Sequence, residues 1–201
     1  VKKVSKELDK KVLLVMDLPG PRVQDENGHT YDHESIEALT ERDKELIVFG
    51  IQNDVDYFAV SFVKNAEDIN KCKEIIKLNN GRQKVIAKIE RSIAVDNVHE
   101  IIEASDAVMV ARGDLGKDIP IEKLPFVQSE IIKKCKSVSK PVIVATQMLY
   151  SMVENPEPTR AEVTDVSEAV LEGADVLMLS DETAKGKYPN ESVTIMEKII
   201  L

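Results

Sequence analysis

The sequence predicts an α/β protein of the (β/α)8 barrel type, incomplete at about six βα units, with parallel strands. Short β-branched runs alternate with longer segments of helical period, the signature of βαβ units. The runs are apolar nearly throughout, as strands covered on both faces are. The polar residues gather at the C-terminal ends of the runs: Asp17, Ser61, Lys88 with Glu90, Asp114, Thr146, and Ser180 with Glu182. An open doubly wound sheet concentrates its site at one switch point. A barrel collects residues from many strand ends onto one face, so the spread of these residues decides for the barrel.

The strand runs are Val12–Asp17, Tyr57–Phe62, Lys84–Glu90, Ala107–Ala111, Pro141–Thr146 and Asp175–Ser180. Between them, Ile69, Cys72 and Ile76 share one helical face, as do Val127, Ile131 and Cys135. The segments Ser92–Glu103 and Asp165–Leu171 behave likewise, and a last helix begins after Pro189. A closed barrel of this type needs eight strands. Two open edges are therefore expected, and such edges invite association. A homo-oligomer or the remainder of a longer chain is expected to cover them, and a start at Val1 rather than Met suits a piece of a longer polypeptide. Gln24–Glu37 is polar, carries Asn27-Gly28 and has no apolar period, so it reads as an exposed loop. In it His29 and His33 stand four apart beside Asp32 and Glu34. A solvated loop is preferred to a metal site there, because metal sites need a preorganised scaffold.

The chain has 201 residues, which suits one domain over 1–201. Hydrophobic residues make up 43% and aromatics 4%, with no Trp, so the core is aliphatic. The net charge is −9 with no basic stripe, which argues against nucleic acid. It does not exclude small phosphorylated substrates, because a bound metal reverses the sign locally. No apolar run approaches the ~18 residues of a membrane span, and nothing reads as a signal peptide. Cys72 and Cys135 lie on apolar helical faces and read as buried reduced thiols. A cytoplasmic setting is expected.

In Val85-Ile86-Ala87-Lys88-Ile89-Glu90, alternation places Ile86, Lys88 and Glu90 on one face and Val85, Ala87 and Ile89 on the other, toward helices. A Lys and a Glu at the mouth of an apolar tube are costly unless paired or bound to an ion, so a purely structural ion pair competes with a functional reading. Asp114 follows the next run, in Ala111-Arg112-Gly113-Asp114-Leu115-Gly116, where Gly113 and Gly116 are expected to allow close approach and positive φ. Two carboxylates from adjacent strand ends suit Mg2+ or Mn2+, with waters and substrate oxygens completing the shell. Lys88 could meet charge developing on a transferring phosphoryl group, and the amides of the Gly113–Asp114 turn could hold a carboxylate. Val142, Val144 and Thr146 share a face by alternation, so Thr146 is expected to point into the same mouth, although a Thr there commonly satisfies a local carbonyl.

These residues resemble a known family. Ala87-Lys88-Ile89-Glu90, Met109–Gly116, Ala145–Leu149, Pro158–Glu162 and Met178–Gly186 resemble pyruvate kinase in order and approximate spacing, and Met16–Pro21 looks like the family's strand before its lid domain. The resemblance implies a (β/α)8 barrel that moves a phosphoryl group from phosphoenolpyruvate to ADP, giving pyruvate and ATP. It implies that Lys88 stabilises the phosphoryl, that Glu90 and Asp114 bind Mg2+, and that Gly113, Asp114 and Thr146 hold the substrate carboxylate. Thr146 would also help protonate the enolate. Asp17 with the Leu18 carbonyl matches part of a K+ site, and Ser61 and Phe62 match a pocket wall. Against the family pattern, the first two strands are absent, the short loop 24–37 replaces the lid, and the C-terminal domain is missing. Gln24 stands for a strand-end Arg, and Asp181 for a Gly. Two other readings compete: a relative that binds Mg2+ and an oxo-acid without transfer, and a metal-dependent lyase or aldolase acting on a pyruvate enolate. Lys88 beside the metal favours phosphoryl transfer over the last.

Overall fold

The computed structural model describes residues 1–25, 28–31 and 37–201; for 24–25 and 28–31 the description is of the backbone. The strands are β1 (Val15–Leu18), β2 (Arg22–Asp25), β3 (Gly28–Tyr31), β4 (Tyr57–Val60), β5 (Lys84–Ile89), β6 (Ala107–Ala111), β7 (Val142–Ala145) and β8 (Val176–Met178). The helices are α1 (Lys2–Glu7), α2 (Glu41–Gln52), α3 (Ala66–Leu78), α4 (Ser92–Asp96), α5 (Val98–Ala104), α6 (Arg112–Asp118), α7 (Leu124–Ser137), α8 (Arg160–Glu172), α9 (Asp181–Ala184) and α10 (Pro189–Ile200).

Six strands form one parallel sheet in the order β1-β4-β5-β6-β7-β8. The order follows the chain without reversal, so the sheet has no switch point of the doubly wound kind. It is a curled half-barrel. The central strand β6 is buried along its whole length. The outer strands β1 and β8 each pair on one side only, and Val15 and Val176 on them are each 48% exposed.

The helix side of the sheet carries most of the core. Val85, Ala87, Ile89, Val108, Val110, Val142 and Val144 pack there against Ile69, Ile101, Leu115 and Ile131 from the helices. Burying each such Ile or Leu contributes roughly 1.5–3 kcal/mol. The opposite face is a smaller apolar cluster of Ala59, Ile86, Ala107, Met109 and Ala145. Three alanines there contribute little area, so the helical layer holds the sheet and the inner face is left open for a site.

Local signals define the helices. Thr40 with Asp43, and Thr159 with Glu162, make capping boxes for α2 and α8, and Asn65 caps α3. Gly173, at φ 99°, ends α8 in the left-handed conformation that favours glycine. A device recurs at the strand starts: Asp56, Asp106 and Asp175, each just before a strand, accept at 2.8, 2.8 and 2.9 Å from the amides of Leu14, which precedes β1, of Val85 on β5 and of Val142 on β7.

The structure departs from the sequence reading at several places. Residues 22–31 contain an antiparallel hairpin, β2 with β3, where a loop was expected. His33 lies outside the described residues, as does the side chain of His29. The helix expected over Ser92–Glu103 is two, divided at Asn97. Gly113 and Gly116 are in α6, and neither has positive φ. Cys72 and Cys135 are free and buried, and burial pushes both thiols up to about 12. No helix among the described residues is long and apolar enough to cross a membrane.

Candidate active site

A cavity of about 470 Å3 opens over the carboxyl ends of the sheet strands. Asp17, Lys88, Glu90, Gly113, Asp114, Thr146, Ser180 and Glu182 all line it. Ser61, Phe62 and Leu18 stand behind this lining, buried. Strand-end residues up to 165 positions apart in sequence thus meet around one space.

Lys88 is the hub. The pattern of β5 sends it inward with Ile86, as alternation requires, and its side chain is only 7% exposed. Its Nζ lies 2.8 Å from Asp17 Oδ1 and 2.9 Å from Glu90 Oε1, and it donates to Ser61 Oγ at 2.8 Å. Burial works against the ammonium charge, but Glu90 and Asp17 outweigh it and hold the Lys88 pKa above its ordinary value. An isolated buried ion costs several kcal/mol; three partners offset that here.

Glu90 accepts from the Phe62 amide at 2.7 Å through its other oxygen. Phe62 adopts φ 56°, a left-handed conformation rare for a bulky side chain, which turns its N–H toward β5. Burial raises the Glu90 carboxyl above its ordinary value. Lys88 and the Phe62 amide pull it back only in part, and Asp114 adds to the rise. Asp114 stands near enough to raise the Glu90 carboxyl, so the two carboxylates could share one cation. Among the described residues no group of three or more His, Cys, Asp or Glu forms a preformed cage. The donor set therefore fits a hard ion that takes one or two carboxylates and completes its shell from water and substrate, as Mg2+ does, rather than zinc. Asp17 offers a half-exposed carboxylate, one oxygen of which meets Lys88. Leu18 buries its side chain on the helix side, so only its backbone could face a K+ ion.

Asp114 sits in the first turn of α6 and accepts from Lys117 at 3.0 Å. The Gly113 amide donates to Thr146 Oγ1 at 2.8 Å. A Cβ on Gly113 would come within 3.3 Å of that hydroxyl, so the close approach expected of this glycine is present. Thr146 reaches the cavity by a different route from the one its spacing suggested. Val142 and Val144 face the helices, and simple alternation would send Thr146 after them. Instead the backbone leaves the strand at Ala145, and Thr146 and Gln147 take φ 69° and 55°. A β-branched residue there costs of order 1–3 kcal/mol.

Arg112, to which the sequence gives no role, and Glu182, which it gives only a place at a strand end, hold this end together. Arg112, 7% exposed, donates to the Thr146 carbonyl from Nε and Nη2 and to the Gln147 carbonyl at 2.9 Å, and its Nη1 lies 2.6 Å from Asp165 Oδ1. Glu182, fully buried, accepts from the amides of Leu149 and Ser180 at 3.0 and 2.8 Å, tying the β7 and β8 ends. Its acidic neighbours gave no signal of that latch. Arg22 also lines the cavity, with its guanidinium 5.5 Å from the Phe62 ring centroid.

Fold and site together define a parallel α/β barrel segment whose polar groups converge at the strand carboxyl ends. The family model described as pyruvate kinase, barrel domain, matches residues 29–193, and the chain belongs to the pyruvate kinase family. It is 54% identical over 165 residues to the pyruvate kinase of Thermotoga maritima, covering 82% of this chain and 35% of that protein. Against pyruvate kinase isozyme G, chloroplastic, of Nicotiana tabacum the identity is 52%, over 83% of this chain and 30% of the relative. Against the pyruvate kinase of Dictyostelium discoideum it is 50%, over 82% and 32%. The chain spans about a third of the length of these relatives.

Proposed function

We propose that this chain carries the enolate and metal half of a phosphotransferase site that moves a phosphoryl group from phosphoenolpyruvate to ADP, giving pyruvate and ATP in glycolysis. The observation that supports it is Lys88, buried and fixed between Asp17, Ser61 and Glu90 on the wall of a cavity that Asp114 and Thr146 share. In this reading Lys88 holds a positive charge where the transferring phosphoryl becomes more negative, a role worth about 3–4 kcal/mol per positioned donor. Glu90 and Asp114 would hold Mg2+ or Mn2+, which when bound polarises the enolate and phosphoryl oxygens. The first turn of α6 at Gly113–Asp114, with the Thr146 hydroxyl, faces the substrate carboxylate. Thr146 Oγ1 accepts from Gly113 in the structure, so its own proton is available to pass toward the enolate carbon. Asp17 and the Leu18 carbonyl would supply part of a K+ shell, and Ser61 and Phe62 brace Lys88 and Glu90 from behind. We read residues 1–201 as one barrel domain of a cytoplasmic protein, with the 24–37 segment standing where the family has a lid.

A coupled assay of pyruvate formation with Mg2+, K+, phosphoenolpyruvate and ADP, run beside a calorimetric titration of oxalate with Mg2+, tests the reading. We expect oxalate and metal binding, and turnover well under ~1 s−1, the low end of kinase rates. No binding of oxalate in the presence of Mg2+ would overturn the site. The open edges at β1 and β8 favour a second reading, in which the chain by itself binds Mg2+ and an oxo-acid without transfer; complete absence of turnover with intact oxalate binding is its signature.

A further inference from the structure

We infer that Arg22 is an anion-binding residue of this cavity and takes an oxygen of a phosphoryl group. The inference rests on the phosphotransferase reading for the choice of anion, and on the charges around the cavity for the residue. Three basic side chains line the space: Arg22, Lys88 and Lys117. Lys88 is engaged by Asp17 and Glu90, and Lys117 by Asp114. Arg22 has no ion pair among the described residues. Its Nε is buried and has no hydrogen-bond partner.

A buried donor left without an acceptor is costly, the more so when the group is charged. The protein therefore holds the Arg22 Nε–H buried without an acceptor on a half-buried side chain, at the edge of a cavity where a ligand could supply one. The Phe62 ring lies with its centroid 5.5 Å from the guanidinium carbon, within cation–π range. Phe62 is also the residue whose amide orients Glu90, so the Arg22 fork and the Glu90 carboxylate are set by one side chain and its own backbone. A planar fork with parallel N–H groups suits phosphate oxygens better than a point charge does. Among the described carboxylates that line the space, Asp17 and Glu90 are turned to Lys88, Asp114 to Lys117, Asp181 to Lys185 and Glu182 to the amides of Leu149 and Ser180, and none is turned to Arg22.

The test is calorimetric titration of the whole chain and of its Arg22→Gln and Arg22→Lys forms with inorganic phosphate, phosphoenolpyruvate, ADP, and oxalate with Mg2+. Arg22→Gln should weaken inorganic phosphate about tenfold or more, the equivalent of one charged hydrogen bond. It should leave oxalate with Mg2+ within about twofold of wild type. Arg22→Lys should recover part of the loss. Whichever of phosphoenolpyruvate or ADP weakens in parallel with phosphate supplies the phosphoryl group. Wild-type phosphate affinity in Arg22→Gln overturns the assignment, as does equal loss of phosphate and oxalate, or a wild-type chain that binds no phosphate. The oxalate arm on the wild type judges the phosphotransferase reading separately.

Discussion

Arg112 donates two hydrogen bonds, at 3.3 and 3.2 Å, to the backbone carbonyl of Thr146, the residue whose hydroxyl lies against the Gly113 amide. Arg112 and Gly113 are neighbours in the first turn of α6. One helix turn therefore grips Thr146 from both sides, by its carbonyl and by its hydroxyl. The grip explains how Thr146 and Gln147 persist at positive φ. Two such residues cost of order 1–3 kcal/mol each, and hydrogen bonds from a charged donor return about 1.5–3 kcal/mol each. The terms are of similar size, so the conformation depends on the guanidinium.

Arg112→Met should therefore destabilise the protein by about 3–5 kcal/mol, the usual cost of removing one partner of a buried charged network. That corresponds to a fall in Tm of roughly 6–20 °C in a chain of this size. Thermal unfolding measures it. A loss under ~1 kcal/mol would show that Thr146 and Gln147 hold their conformation without Arg112.

Lys88→Met should make metal binding more sensitive to acid. Burial already raises the Glu90 carboxyl, and the Lys88 charge and hydrogen bond are what hold it down. Removing them moves Glu90 further up, and a protonated carboxyl does not bind a cation. Mn2+ affinity, read by water proton relaxation, should be lost at a higher pH in Lys88→Met than in wild type as the solution is acidified. Parallel pH profiles for the two proteins would show that Lys88 and Glu90 are not coupled. Asp114→Asn and Glu90→Gln should each weaken Mn2+ at every pH.

How far the site could be read from the sequence follows from backbone regularity. Lys88 and Glu90 were legible because β5 is a regular strand up to Ile89, and period-two alternation gives their side. Thr146 was placed in the right cavity for the wrong reason: it lies past the last strand residue, where alternation no longer applies and two positive-φ residues decide direction. Arg112 holds the carbonyls of Thr146 and Gln147, 34 and 35 positions away, and Glu182 links Ser180 beside it to Leu149, 33 positions away; no local pattern carries such links. The aspartates before β4, β6 and β8 carry a readable signal, Asp56 and Asp106 directly ahead of their apolar runs and Asp175 opening its own. For β2 and β3, Asn27-Gly28 is a hairpin signal only when apolar and polar residues alternate around it; they do not, so the sequence reads as a loop there.

Acid should remove stability through Glu162. Its carboxylate accepts from the Ser151 amide and hydroxyl and from the Thr159 amide and hydroxyl, fixing the 3-10 turn Tyr150–Val153 to the start of α8. Burial works to raise its pKa, but the Ser151 and Thr159 donors outweigh it and hold it below the ordinary 4.5. A depressed folded-state pKa gives stability that is full above 4.5 and is lost as pH falls through the folded value. Glu162→Gln should thus cost about 0.5–2 kcal/mol at neutral pH, as loss of a cap does, and should flatten the fall in stability below 4.5. Urea unfolding at a series of pH values checks both. An acid limb as steep as wild type would show that other carboxylates carry it.

The sheet edges should make this chain associate with itself. β8 pairs with β7 on one side only and carries Val176, 48% exposed, while β1 at the other edge carries Val15, equally exposed. Short length limits each edge, yet neither strand carries the lysine or proline that commonly blunts one. Val176→Lys places a charge where a second chain would have to pair. Because Val176 is half-exposed, the substitution should change folding stability by no more than about 0.5 kcal/mol, so any change in association is not a folding effect. Sedimentation velocity across a tenfold or wider range of concentration is the measurement. The wild-type weight-average sedimentation coefficient should rise with concentration, and that of Val176→Lys should rise less. If the wild-type coefficient does not move with concentration, the open edges are not sites of association, and the curl of the half-barrel alone keeps them apart.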